Sequence, residues 1–100
     1  MRRLRITQQA YLDIDAVADF IRPDNPSRAE TFVDEIASKI QTIAERPLSF
    51  PDRADWSPGL RSAVHGRYLI LFDCDETIVT ILRVVHGARD IAKLFEADRD

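Results

Sequence analysis

The chain has 100 residues, 45% of them apolar, with a formal net charge of −3. That is enough apolar residue for one compact core and too little for a second, so a single domain over residues 1–100 is expected. The acidic balance argues against a dedicated nucleic-acid binder held by a broad basic field. The lone cysteine, Cys74, excludes an internal disulfide and fits a reducing compartment. No stretch approaches the ~20 apolar residues of a membrane span. The expectation is a soluble cytoplasmic protein with no direct membrane association. Charge is nevertheless uneven. Asp13, Asp15, Asp19, Asp24, Glu30, Asp34, Glu35 and Glu45 crowd the first half, whereas Arg53, Arg61, Arg67, Arg83, Arg89 and Lys93 lie in the second.

Residues 2–7 alternate Arg3, Arg5 and Thr7 with Leu4 and Ile6, which predicts a short edge strand whose arginines discourage unwanted pairing. From Gln8 the period becomes helical. Ala10, Ile14, Val17, Ala18 and Ile21 share a face, and Tyr11, Leu12 and Phe20 widen it. This helix ends near Arg22, because Pro23 pushes the residue before it out of the helical region. Asn25-Pro26 restarts the helix as N-cap and first-turn proline. The second helix shows one apolar face through Ala29, Phe32, Val33, Ile36, Ala37, Ile40, Ile43 and Ala44, and stops at Arg46-Pro47. Two helices joined by a tight turn form an antiparallel hairpin that must pack on a sheet.

Residues 48–58 hold Pro51, Pro58 and Trp56, which reads as a loop with the tryptophan as a lid over one end of the core. Three strands follow at 60–64, 68–72 and 77–85, broken at His65-Gly66 and at Asp73-Cys74-Asp75-Glu76. The middle run is apolar on both faces, so it should be central and covered on both sides. Cys74 falls in a predicted turn, as an exposed and inert thiol. A short helix over 88–97 should present Ile91, Leu94 and Phe95. The order β-α-α-β-β-β-(α) gives an α+β domain: a small, mainly antiparallel sheet with the helical hairpin on one face.

There is no glycine-rich phosphate loop, no metal-ligand spacing and no serine nucleophile motif, so neither cofactor nor metal is expected. What remains is His86 with Arg61, Arg67, Arg83 and Arg89. A histidine flanked by guanidinium groups suits phosphoryl chemistry on RNA, with the histidine as acid or base and the arginines holding the phosphate. The plain reading is that these arginines pair with acids such as Asp73, Asp75 or Asp90, and that His86 is a capping or packing residue.

The stretches Gly59-Leu60-Arg61-Ser62, Gly66-Arg67-Tyr68-Leu69-Ile70 and Ile81-Leu82-Arg83-Val84-Val85-His86-Gly87-Ala88-Arg89-Asp90 resemble the ParE branch of the RelE/ParE toxin superfamily. So do Asn25-Pro26 with Ala29 and Phe32, and Ile43-Ala44-Glu45-Arg46-Pro47. Phe50 stands where that family usually has glycine, and the acidic turn after Phe72 replaces a basic strand end. The resemblance implies a type II toxin neutralised by a ParD-like antitoxin, whose disordered segment folds onto the hairpin and sheet. It implies DNA gyrase as target, with DNA met only through the gyrase or antitoxin complex. The same fold hosts ribosome-dependent mRNA endonucleases, for which His86, Arg61, Arg67, Arg83 and Arg89 are the catalytic candidates; on the gyrase reading there are none. Tyr11, Leu12 and Phe20, with Arg61, Arg67, Arg83, His86 and Arg89, are the candidates for antitoxin or target contact.

Overall fold

The computed structural model describes residues 2–96, except the side chains of Phe95 and Glu96. Its elements are β1 (Arg3–Ile6), α1 (Gln8–Ile21), α2 (Pro26–Glu45), a 3₁₀ turn (Pro47–Ser49), β2 (Arg61–His65), β3 (Tyr68–Cys74), β4 (Ile78–His86) and α3 (Ile91–Glu96). The four strands form one sheet in the order β1-β4-β3-β2. β1 runs parallel to β4 at the edge, and β4-β3-β2 is an antiparallel meander.

Local chemistry sets the helix bounds. Thr7 caps α1, its hydroxyl accepting from the Ala10 N–H at 3.0 Å. Asn25 caps α2 by accepting from the Arg28 N–H at 3.1 Å, with Pro26 at the first helical position. The hairpin then covers one sheet face. Ala10, Ile14, Phe32, Ile36, Ile40 and Ile43 pack on Ala63, Ile70, Phe72, Val79, Ile81 and Val84. The opposite face carries a smaller cluster of Leu60, Leu71, Val85 and Ile91, against which Trp56, Leu69, Leu82 and Leu94 pack. Trp56 is thus a lid, and the proline-rich loop with α3 covers what the hairpin leaves.

A bulge in β4 decides where its side chains point. Leu71 pairs with Arg83 and Phe72 with Ile81, leaving Leu82 as the extra residue. Ile81 and Val84 are three apart and would face opposite ways in an unbroken strand, yet both lie in the larger cluster. The same bulge ties β4 to α1. The Thr7 hydroxyl donates to the Leu82 carbonyl at 2.8 Å, and the Val84 N–H donates to the Asp13 carboxylate at 3.0 Å.

Three expectations change. β3 continues through Asp73 and Cys74, which pair with Thr80 and Val79. The turn shrinks because the Asp75 carboxylate accepts from the Thr77 and Ile78 N–H groups at 2.7 and 2.9 Å, closing a tight side-chain turn. Cys74 is therefore a half-buried strand residue packed on the larger cluster, and not an exposed turn thiol. Val33 and Ala37 lie on the flank of the α2 face and are exposed, because the sheet is narrower than the apolar stripe. α3 begins at Ile91, since Gly87–Arg89 is taken up by a turn after β4. The expected role of Phe95, and residue Ala97, lie outside the described residues.

Candidate functional site

The arginine and histidine set divides in two. The β2–β3 hairpin pairs His65 with Tyr68 across a two-residue turn, Gly66-Arg67, with Gly66 at φ +57°. Such a turn demands a residue that tolerates the left-handed region, which glycine supplies. Tyr68 in turn pairs with His86, and the Gly87 N–H donates to the Arg67 carbonyl at 2.8 Å. Arg67, Tyr68, His86 and Arg89 therefore meet at one end of the sheet. Tyr68 and His86 stack edge to face, with ring centroids 5.5 Å apart. Arg67 and Arg89 are exposed, as is His86.

Arg61 and Arg83 belong elsewhere. Arg61 pairs with Phe72, four residues along β2 from the His65 turn, and its guanidinium donates to the Phe50 carbonyl at 2.8 Å. Arg83 makes a two-pronged ion pair with Asp13, at 2.8 Å from Nε and 3.1 Å from Nη2. That partner lies on α1, whereas strand-end acids such as Asp73, Asp75 or Asp90 were expected. Burial opposes charge on Asp13, but the bonds from Arg83, the Val84 N–H and Gln9 outweigh it and hold the carboxyl below its ordinary range. His86 acts locally: its Nδ1 accepts from the Ala88 N–H at 3.1 Å, shaping the turn that leads to α3. Arg83 is thus a tether, Arg61 a loop clasp and His86 part of a turn, while Arg67 and Arg89 stay exposed at the same sheet end as His86.

The three apolar candidates of α1 are all exposed: Tyr11 by 55%, Leu12 by 52% and Phe20 by 81%. None completes the core. Nor do they form one patch. Tyr11 and Phe20 are nine residues apart, which at ~100° per residue puts them on opposite sides of the helix. Tyr11 alone of the three lines a groove of about 290 Å³ between α1, α2 and the edge of β1. Leu4, Ile6, Ile14, Val33 and Ile40 make this groove apolar, and Asp15 and Gln41 sit with them. The sequence signal for it was an apolar stripe on α2 broader than one strand layer can cover.

A second concentration lies beside the β2–β3 turn. Glu35 of α2 bonds both His65 Nε2 and Arg28 Nη1, each at 2.8 Å. Those two hydrogen bonds, Arg28 first, hold the Glu35 carboxyl below its ordinary range. His65 was read only as part of a strand break, because its partners lie 30 residues back in the chain. Among the described residues no group of three histidines, cysteines or acids is placed to hold a metal ion. No helix among them is long and apolar enough to cross a membrane.

No curated protein matches the chain. Among solved structures, the chromosomal ParDE TA system from P. aeruginosa is similar at TM-score 0.76 and 22% identity, over 86% of this chain and 96% of that one. A YafQ point mutant from E. coli (TM-score 0.51, 11% identity) and the E. coli DinJ–YafQ complex (TM-score 0.51, 12% identity) are more distant. Each covers 88% of this chain and 96% of its own, and all three likenesses are of fold. The family model described as ParE toxin of type II toxin-antitoxin system, parDE, matches residues 4–91, and the chain belongs to that family.

Proposed function

We propose that this ParE-family toxin arrests growth by binding DNA gyrase and trapping it on cleaved DNA, with no catalysis of its own, until a ParD-like antitoxin neutralises it. The observation carrying this reading is how the arginines are engaged. Arg83 is committed to Asp13 and Arg61 to the Phe50 carbonyl, so neither stands beside His86 to hold a phosphate during proton transfer. A binding mechanism needs no such convergence.

The groove beside β1 supports the antitoxin half of the proposal. It is apolar, rimmed by Asp15, and continues past Val33 to a second hollow where Glu30 and Asp34 stand with Arg22. Of the three aspartates of α1, Asp13 is held by Arg83 and Asp19 by Arg22, which leaves Asp15 as the charge at the groove. A disordered segment that folds into an amphipathic helix with lysines or arginines along its flanks fits that surface.

The ribonuclease alternative keeps one observation in its favour, the juxtaposition of His86, Tyr68, Arg67 and Arg89 at one sheet end. Gyrase supercoiling with purified, antitoxin-free toxin decides between them. Inhibition with accumulated cleaved DNA is expected. Unimpaired supercoiling at excess toxin, with mRNA cut in a translation assay, would overturn the gyrase reading.

A further inference from the structure

We infer that the cleft between the α1–α2 connection and the β2–β3 turn is a binding site for a phosphate group. It encloses about 340 Å³; its walls are Ile21, Phe32 and Tyr68, and its polar groups are the guanidiniums of Arg28 and Arg67 and the imidazole of His65. It is distinct from the groove beside β1, with which it shares no lining residue. It stands whether or not gyrase is the target.

Three separate parts of the chain deliver these groups: α2 brings Arg28, β2 brings His65, and the turn brings Arg67. Glu35, the acid nearest to them, does not line the cleft. It stands behind Arg28 and His65 and engages one nitrogen of each, at 2.8 Å. Arg28 Nη1 also reaches the Thr31 hydroxyl at 3.1 Å. Among the described residues this leaves Arg28 Nε and Nη2 and the whole Arg67 guanidinium without a protein acceptor. The cleft therefore holds more donors than the protein supplies acceptors for. A phosphate, with several charged oxygens, matches two guanidinium forks better than a single carboxylate does.

The walls favour the same ligand. Phe32 is 1% exposed and stands edge-on to both His65 and Tyr68, with centroids 6.3 and 5.4 Å away. Apolar rings beside the cations lower the local dielectric, which strengthens charged hydrogen bonds formed there. The mouth is open, since nothing lies within 4 Å of where a Gly66 Cβ would stand. With a net charge of −3 over the whole chain, the protein offers a discrete phosphate notch in place of a long basic track.

The test is a titration of the ¹⁵N-labelled toxin at constant ionic strength, in separate arms with inorganic phosphate, a 5′-mononucleotide, a short DNA duplex and a short acidic peptide. Saturable shifts centred on the Arg28, His65, Gly66 and Arg67 amides are expected with inorganic phosphate. Arg67→Ala should weaken binding roughly tenfold, the loss of one charge-assisted contact, with the rest of the spectrum unchanged. Arg28→Lys should weaken it less, because the charge stays and only the fork is lost. Competition by the duplex names a strand phosphate as the source, and competition by the mononucleotide names a free one. Shifts that rise linearly without saturating, or that are indifferent to Arg67→Ala, would overturn the site. So would preference for an acidic peptide over all three phosphate probes.

Discussion

Arg83 on the β4 bulge grips Asp13 in the middle of α1, across 70 residues of sequence, with both prongs of its guanidinium on one carboxylate. The same carboxylate takes the Val84 N–H, and one residue before Arg83 the Leu82 carbonyl takes the Thr7 hydroxyl. Consecutive residues of the bulge are thus fastened to one helix. The bulge frees backbone groups from the strand ladder, and α1 satisfies them.

Asp13→Asn should therefore destabilise the fold by about 1–3 kcal/mol, the range for a charged hydrogen bond lost at a largely buried site. The Asp13 side chain is only 10% exposed, so water cannot readily replace what is lost. Urea denaturation checks this as a fall in midpoint with unchanged slope. A loss under ~0.5 kcal/mol would place the pair among ordinary surface bridges.

Acid should expose the same tether. The Asp13 carboxyl lies below its ordinary range in the folded protein, so the folded state binds its proton more weakly than the unfolded chain does. Its contribution is full above the unfolded carboxyl value, near pH 4, and is lost as pH falls through the folded value. Denaturation midpoints measured from pH 7 to 3 should drop steeply below about 4. They should drop less in Asp13→Asn. Identical acid limbs in the two proteins would assign the acid sensitivity to other carboxylates, such as Glu35.

Much of this architecture was legible because local chemistry announces it. Asn25-Pro26 and Arg46-Pro47 bracket α2, and Gly66 marks the hairpin turn, each within a few residues of its cause. The arginine set was not legible, and the reason is geometric. Grouping Arg61 with His86 needs the strand register, which places Arg61 opposite Phe72 and His86 opposite Tyr68, four positions apart along β3. No local signal links Arg83 to Asp13 or His65 to Glu35, since each partner lies on a different element. Asp73-Cys74 looked like turn residues, but their pairing with Thr80 and Val79 overrode that preference.

The opposite placement of Tyr11 and Phe20 on α1 yields a graded prediction for the antitoxin. Tyr11→Glu puts a charge into the groove beside β1 and should cut antitoxin affinity at least tenfold, since a carboxylate buried against an apolar partner has no compensating bond. Phe20→Ser, on the far flank, should cost much less. Both residues are exposed, so each change should leave folding stability within about 0.5 kcal/mol. Calorimetric titration of each variant with the antitoxin gives the ranking. Equal losses would mean that the antitoxin wraps α1 instead of lying along one groove.

His86→Ala separates the two mechanisms in the cell. In the folded chain His86 accepts the Ala88 N–H and stacks on Tyr68, both modest local contacts at an exposed position. Removing the ring should cost about 1 kcal/mol or less of stability, and the groove beside β1, lined by other residues, should be untouched. If the toxin works by occupying gyrase, growth arrest should persist in this variant, weakened at most in proportion to any contact His86 makes with the target. A general acid or base has no such latitude. Its loss removes the 10²- to 10⁴-fold that proton transfer typically contributes, and a nuclease deprived of it should no longer stop growth. Induced expression without antitoxin, with colony counts over several hours, reads the difference. Full rescue of growth by His86→Ala, with antitoxin binding intact, would sink the binding-only mechanism and turn attention to mRNA ends.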